Sequence, residues 1–177
     1  FYIKPRIDWP LLKEHAEGLV CLSGCLAGAI PRMLVQGDYA GAKALAEDLR
    51  SAFAPGDFYL EIQNHGIPEE LTAAQGLRRL SRETGIPLVL TNDAHYLEKS
   101  DARTQDVLLC IQTGKTVDDP GRMRFQGEEF YLKSQEEMAA LFPDLPEAMA
   151  ATEEISEKCN FDFTFGTYHL PRYPLPE

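Results

Sequence analysis

Short apolar runs that stop abruptly in polar residues recur three times in the first half of the chain. Residues 19–23 (LVCLS) run into Gly24-Cys25, residues 58–62 (FYLEI) into Gln63-Asn64-His65, and residues 86–90 (IPLVL) into Thr91-Asn92-Asp93. Apolar runs of this length, bounded by turn residues, predict buried β-strands. Two longer stretches of helical period lie between them. One begins near Asp38, a good N-cap, and sets Ala42, Leu45, Ala46, Leu49 and Phe53 on one face before Pro55-Gly56-Asp57 ends it. The other opens at Ile67-Pro68-Glu69-Glu70, with proline and acids where the helix dipole favours them. Its predicted apolar face is Leu71, Ala74, Leu77 and Leu80, closed by Gly85. Residues 24–37 predict a short helical or irregular segment interrupted by Pro31. The order β-α-β-α-β, with connections long enough for parallel crossovers, predicts an α/β sheet or barrel.

Beyond His95 the pattern changes. Ser100-Asp101 predicts the cap of a helix reaching about Gln112, with Val107, Leu108 and Ile111 turned inward. Asp118-Asp119-Pro120-Gly121 reads as a turn, residues 130–133 as a short strand, and Ser134-Gln135-Glu136-Glu137 as close to a capping box. Helices are expected at about 134–142 and 146–159. From Phe161 the chain is aromatic and proline-rich without helical period, which reads as a connection to another domain.

Composition narrows the function. The 177 residues are 44% hydrophobic and 25% charged, enough for one domain with its own core. A net charge of −11, with no Lys/Arg-rich run, makes the chain a poor candidate for the main grip on a DNA duplex. It leaves room for a small metal site acting on one phosphodiester, where cations supply the positive charge. The four cysteines, at 21, 25, 110 and 159, are not needed as disulfides in a chain of this size. Cys21 and Cys25 do not have zinc-knuckle spacing, and Cys110 and Cys159 read as buried free thiols. With neither a signal peptide nor a membrane-length apolar run, the expected compartment is the reducing cytoplasm. The opening at Phe1 without methionine and the proline-rich end read as a segment of a longer protein.

Asp93 and His95 are the leading chemical candidates. A carboxylate and an imidazole one residue apart at a strand end can point the same way, and together suit Zn²⁺ or Mn²⁺ better than Ca²⁺. The spacing is equally compatible with a turn aspartate beside a solvent-facing histidine. Cys25, just past the first strand at the same predicted edge, is a thiolate ligand, a nucleophile if a histidine base is near, or a small buried residue in a glycine-flanked turn, where Gly24 and Gly28 suggest close backbone packing. If Tyr59, Glu61 and Gln63 share a face, Glu61 lies in the polar mouth of the sheet. His65 fits an exposed loop as well as a site, and His15 and His169 read as surface or linker residues. The chain contains no P-loop, no G-x-G-x-x-G and no G-x-S-x-G elbow. Three candidate ligands are too few for a multinuclear centre.

Several long motifs carry a resemblance: GLVCLSGCLAGAIPRML, FYLEIQNHGIPEE, GIPLVLTNDAHYLEKSDARTQDVLLCIQTGKTVDDPGRMRF and EEFYLKSQEEMAALFPDLPEAMAATEEISEKC. With the opening FYIKPRID, they resemble the PHP domain of bacterial replicative (C-family) DNA polymerase III alpha subunits, in order and over nearly the whole chain. The resemblance implies the C-terminal half of a PHP-type (βα)₇ barrel over residues 1–160, with residues 161–177 a linker toward a polymerase palm. It implies a metal-dependent 3′–5′ exonuclease or phosphoesterase site, with up to three zinc or manganese ions at the strand C-terminal ends. Cys25 matches the ligand of the family's third motif. Asp93 and His95 match the aspartate and histidine of the fourth, as metal ligands and catalytic residues, with Asp93 also able to orient the attacking water. The family's first two, histidine-rich motifs have no counterpart here, so the segment alone is expected to be inactive. The implied parent protein carries out DNA-directed DNA synthesis from deoxynucleoside triphosphates with magnesium at the palm. Its implied partners are DNA, a sliding clamp, a clamp loader and a separate proofreading exonuclease, with no membrane. A metal-free scaffold that docks that exonuclease is the alternative. A free-standing phosphoesterase fits less well, because residues 112–125 and the tail are polymerase-like.

Overall fold

The computed structural model describes residues 6–168 and 170. The predicted strands form one parallel sheet in the order β1 (Cys21–Leu22), β2 (Phe58–Ile62), β3 (Leu88–Leu90). Cys21 stands opposite Phe58 and Leu60 opposite Leu88. The helices in chain order are α1 (Trp9–Glu14), α2 (Ala29–Val35), α3 (Tyr39–Ala52), α4 (Pro68–Thr84), α5 (Ala102–Thr113), α6 (Gln135–Leu141) and α7 (Pro146–Lys158), with a 3₁₀ turn at Lys99–Asp101. The sheet is α/β with helical crossovers, as expected.

Local chemistry explains the boundaries. The Asp38 carboxylate accepts from the Gly41 N–H at 2.9 Å and starts α3. Gly85, in the left-handed region at φ 73°, closes α4. Ser134 and Glu137 form a true capping box on α6, each side chain accepting from the other's backbone N–H. Pro31 does not interrupt a helix. It is the third residue of α2, in the first turn, where backbone N–H groups lack intrahelical partners and its missing donor costs nothing.

Successive strand residues face opposite sides. Phe58, Leu60 and Ile62 join Leu34 of α2, Ala46 of α3 and Leu80 of α4 in the main core. Leu60, Ile62, Leu80 and Leu90 are each at most 1% exposed, and burying a side chain of this kind stabilises by roughly 1.5–3 kcal/mol. Tyr59 and Val89 face the other way, against Ala151 and Ile155 of α7. Both faces of β2 are covered, so it reads as a continuous apolar run. The Lys158 ammonium ties the end of α7 to the start of β2 by donating to the Gly56 carbonyl at 2.8 Å and the Tyr59 hydroxyl at 3.0 Å.

Four further expectations are corrected. Leu71 is 58% exposed, because the buried stripe of α4 is Glu70, Ala73, Leu77 and Leu80. On α5, Val107, Leu108 and Ile111 face outward, and Leu109 and Cys110 are the buried residues. Arg122 sets that orientation. Its guanidinium grips Asp106, one turn before Cys110, with Nη2–Oδ2 at 2.7 Å, which pins the following loop to that side of the helix. Cys110 is a buried free thiol as expected, whereas Cys159 is free but exposed, since the chain leaves the fold there. The predicted strand at 130–133 is a single parallel bridge pairing Tyr131 with Tyr96 rather than an extension of the sheet. Residues 161–168 are exposed and without regular structure, while His169 and most of the proline-rich end lie outside the described residues. Among the described residues, no helix is long and apolar enough to cross a membrane.

Candidate metal centre

Parallel strands put all three C-terminal ends on one edge, so the loops carrying Cys25, His65 and Asp93 emerge together. The loop after β1 turns sharply at Gly24, with φ at 82°. A Cβ at Gly28 would lie 2.4 Å from the Ser23 carbonyl oxygen, so the close packing suggested by these two glycines is present. Cys25 sits half-buried in this turn and lines a small cleft with Glu61, Gln63 and Glu70. Glu61 does share a face with Gln63. Its carboxylate accepts from the Gly24 N–H at 2.9 Å and the Gln63 amide at 3.0 Å, and Gln63 also donates to the Thr91 hydroxyl at 2.9 Å. These bonds stitch the ends of the three strands together. Burial, with the Glu61 carboxylate adding to it, pushes the Cys21 thiol up, so Cys21 stays protonated.

His65 is not in an exposed loop. It is 4% exposed, with the ring stacked on Phe130 at 4.0 Å between centroids. Nδ1 bonds the Glu70 carboxylate at 2.6 Å and Nε2 the Asn92 carbonyl at 2.6 Å, while the His65 backbone N–H donates to the second Glu70 oxygen, also at 2.6 Å. The Asn92 carbonyl can only accept, so Nε2 donates to it, and with Glu70 ionised Nδ1 donates as well, which makes the ring an imidazolium. Burial alone would lower the His65 pKa, but the bonds to Glu70 and the Asn92 carbonyl outweigh it and hold it above the usual value. Burial likewise opposes the Glu70 charge, and the His65 side-chain and backbone bonds overcome it and hold the carboxyl below its usual range.

Asp93 follows directly. Among the described residues it is the only non-glycine with positive φ, at 44°, a conformation aspartate tolerates better than most residues. The backbone is clamped on both sides. The Asn92 carbonyl is held by His65, and its side-chain amide donates to the Glu129 and Tyr131 carbonyls at 3.1 and 2.6 Å. Beyond Asp93, the His95 N–H donates to the Phe130 carbonyl at 2.8 Å. The turn brings Asp93 Oδ1 to 3.4 Å from His95 Nε2, with both side chains more than a third exposed. Two donors each about 2.1 Å from a tetrahedral zinc stand about 3.4 Å apart. The pair therefore fits one edge of such a site and leaves the remaining positions to other donors.

Cys25 is not brought to the pair. β2 separates β1 from β3, so the two outer loops start about 10 Å apart, two strand spacings. Among the described residues, no group of three or more His, Cys, Asp or Glu side chains is placed to hold one ion. The sequence reading missed Glu70, Asn92 and Phe130. Glu70 carried a signal, since an acid in the first turn of α4 also lies five positions after His65, but nothing in the sequence distinguished dipole stabilisation from a buried partner.

Residues 1–65, which carry β1 and β2, match the family model described as the PHP domain. The likeness then extends along the chain. It is 47% identical to the DNA polymerase III subunit alpha of Treponema pallidum over 99% of its length, and 48% identical to that of Thermus aquaticus over 100%. It is 39% identical to the Deinococcus radiodurans subunit, also over 100%. The chain is thus similar, end to end, to a segment of bacterial DNA polymerase III alpha subunits, and spans 15% of the first two relatives and 14% of the third.

Proposed function

We propose that this chain is the C-terminal part of a PHP domain, residues 1–160, in the alpha subunit of a bacterial replicative DNA polymerase, with residues 161–177 leading toward the palm. In this reading the strands are half of a (βα)₇ barrel. Asp93 and His95, with Cys25, contribute to a metal-dependent site that removes a nucleotide from a DNA 3′ end. The observation that carries it is the Asp93–His95 pair, 3.4 Å apart on a turn locked from both sides. The donor set of carboxylate, imidazole and thiol suits zinc or manganese. A bound transition metal would lower the pKa of water and neutralise charge on the phosphodiester. The Asp93 carboxylate and His95 imidazole would hold one ion at the β3 end, and Cys25 would contribute a ligand to a separate ion at the β1 end. The polymerase itself would use magnesium, DNA and deoxynucleoside triphosphates at the palm, with a sliding clamp and clamp loader as partners, in the cytoplasm.

The test uses the complete polypeptide. Asp93→Asn keeps the shape and tolerates the positive φ, and is expected to abolish exonuclease activity while leaving polymerisation intact. Full nuclease activity in that variant rejects the role of Asp93. A second reading, a metal-free scaffold that docks a separate proofreading exonuclease, draws support from the distance between Cys25 and the pair and from the outward apolar residues Val107, Leu108 and Ile111. Under that reading the complete polypeptide binds no transition metal.

A further inference from the structure

Beside the candidate pair, this acidic chain gathers three arginines around one cavity. Arg103 on α5, Arg122 and Arg124 in the following loop, and the rings of Tyr96 and Phe125 line a space of about 330 Å³. Arg122 is structural. It is held by Asp106 and donates from Nε to the Val117 carbonyl at 3.0 Å, and its side chain is 10% exposed. Arg103 and Arg124 are exposed, and among the described residues neither has a carboxylate within ion-pair distance. Their charge nonetheless converges on this pocket. The Arg122 hydrogen bonds hold Asp106 below the usual carboxylate range against the effect of burial, and Arg103 and Arg124 add to it. Asp106 is spoken for by Arg122, so Glu128 is the lining carboxylate that opposes two free guanidiniums. The cavity adjoins the candidate metal residues, since the Phe125 ring lies tilted on the His95 ring with centroids 4.5 Å apart.

A planar guanidinium matches two phosphate oxygens at once, and an aromatic face accepts any base. We infer that this cavity is a nucleotide-binding pocket, with Arg103 and Arg124 on the phosphates of a single strand and Phe125 and Tyr96 against its bases. Its orientation, delivering a strand end toward Asp93 and His95, rests on the function proposed above. The binding does not. The pocket also reconciles a net charge of −11 with a nucleic-acid substrate: the grip is local, on one unpaired strand.

Fluorescence anisotropy of a labelled ten-nucleotide thymidine strand on the 177-residue chain tests it. Wild type is expected to bind, with affinity falling as salt rises. Arg103→Ala with Arg124→Ala is expected to lose at least about tenfold in affinity and to flatten the log–log salt slope by about 1.4, since each phosphate contact on a single strand contributes about 0.7. Circular dichroism checks that these exposed substitutions leave the fold unchanged, and Arg124→Lys alone should retain more binding than Arg124→Ala. Thymidine monophosphate is expected to displace the strand better than inorganic phosphate at equal ionic strength. No binding by wild type, unchanged affinity in the double variant, or equal displacement by the two competitors overturns the inference. Asp93→Asn separates the two claims. Lost nuclease activity in that variant with unchanged binding in the arginine variant sinks the pocket alone, and the reverse result sinks the metal reading alone.

Discussion

The ends of β2 and β3 are neighbours on one sheet edge, and each carries a histidine and a carboxylate, yet the two pairs do different work. At the β2 end, His65 and Glu70 are buried, bonded to each other and saturated, with every donor of the imidazolium used. At the β3 end, Asp93 and His95 are about a third exposed and face each other at 3.4 Å, too far for a good hydrogen bond, and among the described residues neither side chain has another ion-pair partner. A satisfied pair can only hold structure, whereas an unsatisfied pair held at fixed separation can accept a ligand. The two are coupled, because His65 bonds the carbonyl of Asn92, the residue before Asp93. The buried pair acts as the footing on which the exposed pair is set.

That contrast breaks if substitutions at the two ends have similar effects. The largest expected effect is from Glu70→Ala, which strands a buried imidazolium and should lower unfolding free energy by about 3–5 kcal/mol. A loss under about 1 kcal/mol, measured by urea denaturation, would show that the pair is not the footing. Next is Asn92→Ala, which deletes two hydrogen bonds to backbone carbonyls and should cost about 1–3 kcal/mol while loosening the turn at Asp93. The pH profile follows from the two directions of shift. His65 is raised above its ordinary 6.5, so its contribution is complete below that value and is lost as pH climbs through the folded value. Glu70 is lowered from 4.5, so its contribution is complete above that value and is lost as pH falls through the folded one. Stability is therefore expected to be highest between about pH 4.5 and 6.5, with an alkaline decline that flattens in Glu70→Gln. A wild-type profile with no such decline speaks against a charged His65. The smallest effect belongs to the exposed end, where Asp93→Asn should change stability by no more than about 0.5 kcal/mol.

Much of this architecture was legible in the sequence because periodicity reports burial. The strands, the crossover helices, the Asp38 and Gly85 caps and the Ser134–Glu137 box all follow from local pattern, and the motifs around Cys25, Asp93 and His95 identified the relatives. What failed depends on partners distant in sequence. Leu71 and Glu70 are adjacent on α4, and which one turns inward is decided by His65 in the preceding loop. The inward face of α5 is chosen by Arg122, sixteen residues beyond Asp106. His65 itself looked like a loop residue because its three partners, Glu70, Asn92 and Phe130, come from different segments. The arginines of the pocket never form a run, so a charge count along the chain passes over them.

The transition-metal content of the complete polypeptide tests the central claim most directly. After equilibration with zinc or manganese and removal of excess ion, wild type should retain two or three ions per chain. Asp93→Asn combined with His95→Ala should retain fewer by at least one, with the fold intact by circular dichroism. An identical metal count in the wild type and the double variant would contradict the assignment of the β3 end as a metal-binding edge.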